Sequence, residues 1–111
     1  MNVYDIANDL AQQIKKSEEY VNYKRAREAI KLNSKLSEEI KNFEQLRYQT
    51  QIEVMQTGKN DPEKLQKVQD KYAELIEQND AKRYFEAETR FNVLVADINK
   101  IIGEAIKDVM E

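Results

Sequence analysis

The sequence predicts an all-α fold: an elongated antiparallel bundle of about five helices, with long third and fifth helices, expected to pair as a dimer. Three observations carry this. Two glycines and one proline are the only strong breakers in 111 residues, too few for a fold rich in strands and tight turns. Charged residues make up 35% of the chain, above the usual share of about 25%, as solvated faces of long helices require. Apolar residues return in steps of three and four along most of the sequence, the period of one helix face.

The first helix is expected from about Asn2 to Lys15, with Val3, Ile6, Ala7, Leu10 and Ile14 on one face and Asn2 as its N-cap. Ser17 precedes Glu18 and Glu19, two acids suited to the positive end of a new helix dipole. That second helix, the least apolar, carries Tyr20, Tyr23, Arg27 and Ile30 and ends near Leu32. Asn33 and Ser34 offer the side-chain oxygens that turn the chain and cap the third. The third, Lys35 to about Gln56, groups Leu36, Ile40, Phe43 and Leu46 before drifting toward Ile52 and Met55.

Thr57 to Asp61 is the clearest break. Gly58 suits a left-handed C-cap, Asp61 an N-cap, and Pro62 the first helical position, where its missing N–H costs nothing. So short a connection predicts that the third and fourth helices are antiparallel neighbours. Leu65, Val68, Tyr72 and Leu75 then form a narrow seam on the fourth, before Asn79 and Asp80 allow a bend or a cap. From Ala81 to Glu111 runs one long helix in which Tyr84, Phe91, Ile98 and Ala105 recur every seven residues, with Ala87, Leu94 and Ile101 interleaved. At 1.5 Å per residue it is roughly 45 Å long, more than a small domain covers, and the fourth helix is its expected neighbour.

One domain, 1–111, is expected. The net charge of -3 implies no whole-molecule attraction to nucleic acid or anionic membrane. Asp5 and Asp9 interrupt the N-terminal apolar residues, so no secretory signal is read, and no run approaches a membrane span. A cytoplasmic location without membrane insertion is the expectation.

No cysteine and no histidine occur, which removes thiol nucleophiles, thiolate metal sites and the usual triads. Two glycines supply no phosphate loop. The densest carboxylate pairs, Glu38 with Glu39 and Glu86 with Glu88, diverge on a helix and read as solvated faces. No catalytic residue, metal site or cofactor is expected, and the protein is read as no enzyme.

What remains is binding. Tyr84, Phe91, Leu94, Ile98, Ile101 and Ile102 are expected to carry association with a second copy, leaving other grooves and charged faces for an unidentified protein partner. The alternative is a nucleic-acid-binding regulator using Lys24, Arg25, Arg27 and Lys31, which lie near Tyr20 and Tyr23. Core contacts by those tyrosines, with long basic stems covering apolar surface, are the simpler reading.

Three strings carry a resemblance: Val3-Tyr4-Asp5-Ile6-Ala7-Asn8-Asp9-Leu10, then Ser17-Glu18-Glu19-Tyr20 with Tyr23-Lys24, and Ala96-Asp97-Ile98-Asn99-Lys100-Ile101-Ile102. Together they resemble the YlbF/YmcA family of small cytoplasmic helical proteins, above all its YheA-like branch, over nearly the whole chain. The resemblance implies long antiparallel helices, usually paired as a dimer. It also implies an adaptor-like role, since some relatives are accessory factors in competence, sporulation and biofilm development within complexes that influence messenger-RNA processing. Certain of those complexes hold iron–sulfur clusters through cysteines, which this chain lacks.

Overall fold

A computed structural model describes residues 2–110, which form five helices and no strand. They are α1 (Val3–Lys16), α2 (Glu18–Lys31), α3 (Ser34–Thr57), α4 (Pro62–Leu75) and α5 (Asn79–Met110). Each of the first four opens on the cap its sequence offers. The side chains of Asn2, Ser17 and Asn33 accept from the backbone N–H of Asp5, Tyr20 and Leu36 respectively, satisfying donors that the first turn leaves free. Gly58 ends α3 at φ 71°, a left-handed conformation that a Cβ disfavours. Asp61 then accepts from Glu63 and Lys64 at the start of α4, with Pro62 inside the first turn.

The core is a hub, not a seam along the whole length. Ile30, Leu36, Ile40, Phe43, Leu75, Ala81, Tyr84 and Phe85 are buried together, with Tyr23, Ala26, Val68 and Ile76 against them. The end of α2, the first half of α3, the end of α4 and the first turns of α5 therefore meet at one place. The aromatic rings interlock there: Phe85 stands edge-on to Phe43, Tyr72 and Tyr84 at centroid distances of 5.6, 5.2 and 5.2 Å, an arrangement that aromatic quadrupoles favour. Across the α3–α4 hairpin, Lys64 pairs with Glu53 near the turn, Phe43 meets Tyr72, and Gln78, just beyond α4, donates to Glu39.

Two expectations change. The main neighbour of α5 is α2, the helix with the weakest apolar pattern, while α4 reaches α5 through Tyr72 against Phe85. Tyrosine rings explain this: Tyr20 and Tyr23 lie 6.0 and 5.5 Å from the Phe91 centroid, supplying contact area that an aliphatic count along α2 overlooks. The fifth helix also begins at Asn79, with Asn79 and Asp80 already in its first turn. A backbone bond from Gln78 to Leu75 tightens the connection, and Lys82 N–H reaches the Gln78 carbonyl.

Outside the hub the molecule is open. Its extents are 50 × 38 × 16 Å and its radius of gyration is 17.8 Å, against about 13 Å for a compact domain of this length. Helix α1 buries no residue at all. The second half of α5 runs on past the start of α2, and from Ile101 to Met110 every residue is exposed.

Candidate functional site: an uncovered α5 face and the α2–α5 groove

The six α5 residues expected at an interface divide into two groups. Tyr84 belongs to the chain's own core: it is buried, and its hydroxyl donates to Glu44 Oε1 at 2.9 Å. Burial first, and the Glu44 carboxylate second, hold its phenol well above the ordinary tyrosine range, so it remains a neutral donor. Phe91 is half-buried between Tyr20 and Tyr23. Leu94 and Ile98 are half-buried, while Ile101 and Ile102 are 70% and 48% exposed. Ile106 and Val109 continue the open stripe at helical spacing. The sequence pattern alone did not distinguish the end of α5 that the hub covers from the end it leaves bare.

Helix α1 holds a second uncovered face. Val3, Tyr4 and Ile6 are exposed, and Leu10 and Ile14 only half-covered. The periodicity of α1 was evident in the sequence, whereas its lack of a partner within the chain appears only in three dimensions.

The structure also separates the four basic residues of α2. At 100° per residue, Lys24, Arg27 and Lys31 fall within about 60° of one another on an exposed face. Arg27 is committed to Tyr23: its guanidinium lies 5.6 Å from the ring centroid and donates to the hydroxyl at 3.4 Å, a contact that also raises its pKa further. Tyr23 in turn donates to Glu88 at 3.3 Å. Arg25 points elsewhere and lines a groove of about 730 Å³ between α2 and α5.

Sequence reading missed this groove, because its walls come from helices far apart in the chain. Ala26, Ala29 and Ala87 are its small, covered lining residues, and the exposed Arg25, Arg83 and Arg90 line it together with Glu18, Glu19, Asp80 and Glu86. Small residues below and arginines at the rim suit the seating of a polypeptide segment: shape for an apolar stripe, bidentate donors for carboxylates. Of the carboxylate pairs in the sequence, Glu39 accepts from Gln78 and Glu88 from Tyr23. Among the described residues no group of three or more acidic side chains is arranged to hold a metal ion, and no helix is long and apolar enough to cross a membrane.

A family model described as control of competence regulator ComK, YlbF/YmcA, matches residues 3–107. A UPF0342 protein of Symbiobacterium thermophilum is 36% identical over 104 residues, covering 94% of this chain and 93% of the relative. Another, from Alkalihalophilus pseudofirmus, is 35% identical over 109 residues, covering 97% and 92%. A third, from Streptococcus agalactiae, is 33% identical over 111 residues, covering 98% of each. The matches span nearly the full length of each relative, and the chain belongs to the YlbF/YmcA family.

Proposed function

We propose that this protein is a non-enzymatic adaptor of the cytoplasm, a helical homodimer that serves regulation by bringing other proteins together. One observation carries the reading. The accessible surface is 9014 Å², whereas a compact monomer of 13.1 kDa exposes about 6,400 Å². Val3, Tyr4 and Ile6 of α1 and Ile101, Ile102, Ile106 and Val109 of distal α5 are among the large apolar side chains left exposed, and contiguous uncovered apolar faces mark association surfaces. Two copies joined through Phe91, Leu94, Ile98, Ile101 and Ile102 cover the α5 stripe. The α2–α5 groove then stays available for a protein partner. The family's description as control of a competence regulator supports a regulatory role, and accessory action in RNA processing fits an adaptor without chemistry of its own.

Affinity purification from native lysate, with and without nuclease, tests the reading. A stoichiometric protein partner that survives nuclease, and is lost when Arg83 and Arg90 are both replaced by Glu, supports it. Loss of all co-purifying material on nuclease treatment moves the function to the second reading, an RNA-binding regulator. The grouping of Lys24, Arg27 and Lys31 on one exposed face favours that second reading.

A further inference from the structure

We propose that the distal α5 stripe is covered by helix α1 of a second copy, so that two chains exchange their N-terminal helices. This rests on the homodimer reading and names the element that completes it. Helix α1 has 14 residues and buries none of them, and a helix that short is marginal in water unless its apolar face is packed. Its stripe of Val3, Ile6, Ala7, Leu10 and Ile14 needs a partner surface. On α5 the stripe of Leu94, Ile98, Ile101, Ile102, Ile106 and Val109 needs one too.

The two stripes match in length. At 1.5 Å per residue α1 spans about 21 Å, and Leu94 to Val109 spans about 22 Å. Both advance in steps of three and four, so the side chains of one fit between those of the other.

The chain's own α1 is held away from this stripe. Ser17, extended at ψ 151°, fixes the corner between α1 and α2. Its N–H and hydroxyl both donate to the Ile14 carbonyl, at 3.1 and 2.6 Å, and its hydroxyl oxygen accepts from Tyr20 N–H at 3.1 Å. Straightening the corner does not help. On a continuous helix Ile14 and Tyr23, nine residues apart, lie about 180° from each other, so the α1 stripe faces away from α5 when Tyr23 faces it.

A two-fold axis resolves both exposures in one step, since α1 lies on the partner's α5 while the partner's α1 lies on this one. Pairing α5 with α5 alone leaves α1 bare. The chain exposes about 2,600 Å² more than a compact monomer of its mass, which leaves room for the roughly 800 Å² per partner that a standard interface buries.

The chain has no cysteine, so Ala11→Cys, at an exposed α1 position, carries a single nitroxide. Mixed dimers are prepared from that chain, without isotope, and wild-type chain labelled at isoleucine methyls. The expected result is selective loss of the Ile101 and Ile102 methyl signals in the chain without the nitroxide, with Ile40 in the hub unaffected. Mixed dimers in which those signals persist overturn the exchange and leave the homodimer standing. Loss confined to a chain that carries both labels, diluted in excess unlabelled wild type, shows α1 folded onto its own α5 and also overturns it. A chain that is monomeric by light scattering at the same concentration removes the exchange and the homodimer together.

Discussion

The Tyr84 hydroxyl donates to the Glu44 carboxylate across 2.9 Å, tying the first turns of α5 to the middle of α3. Replacement by Phe keeps the ring in the hub and removes the bond, so Tyr84→Phe is expected to lower stability by about 1 kcal/mol. The phenol also sets an alkaline limit. Because the folded state holds it above its ordinary pKa of about 10, the neutral form is the one that folding favours. Its contribution is complete below pH about 10 and is lost as pH rises beyond that, as the unfolded state ionises first. Denaturant titrations at pH 8 and pH 11 check this: wild type should lose more stability between them than Tyr84→Phe.

Two glycines make opposite predictions. Gly58 sits at φ 71°, so Gly58→Ala should destabilise by about 1 kcal/mol through backbone strain alone, although no atom lies within 4 Å of the added Cβ. Gly103 lies inside α5, also with nothing within 4 Å, and Gly103→Ala should stabilise the helix by up to about 1 kcal/mol. Thermal melts of both variants, followed by far-UV circular dichroism, give the signs.

These glycines also mark how far the sequence could be read. The caps at Asn2, Ser17, Asn33 and Asp61 and the Gly58 stop were legible because each depends on bonds within a few residues. Five helices therefore emerged with nearly their observed ends. The pairing of α5 with α2 was not legible. It depends on Tyr20 and Tyr23 meeting Phe91 from about seventy positions away, and a weakly apolar helix gives no local sign of such contacts. The candidate site divides in the same way. The α5 stripe was visible as a pattern, while the division between buried Tyr84 and bare Ile101 required the hub to be located.

Charges placed on the bare part of α5 should separate association from folding. Ile101→Glu combined with Ile106→Glu touches no hub residue, so helix content is expected to stay near wild type while the dimer dissociates, since charges cannot be buried unpaired. Phe91→Glu, next to Tyr20 and Tyr23, should instead lower the melting temperature as well. Circular dichroism and sedimentation velocity on the two variants distinguish these outcomes.

The exposed basic face of α2 supplies a check on the second reading. If RNA is bound there, affinity should fall steeply between 50 and 200 mM salt, with a log–log slope of about -2 to -3 for three contacts, and Lys24→Glu with Lys31→Glu should abolish it. Fluorescence anisotropy with a single-stranded RNA that shows no binding at low salt removes that reading.

If a second copy covers the open apolar faces, the protein in solution is a dimer. Light scattering coupled to size exclusion tests it most directly. A dimer weighs 26.2 kDa, twice the chain mass of 13.1 kDa, and that mass is expected across a range of micromolar loading concentrations. A mass of 13.1 kDa throughout that range, with helix content intact, would contradict it.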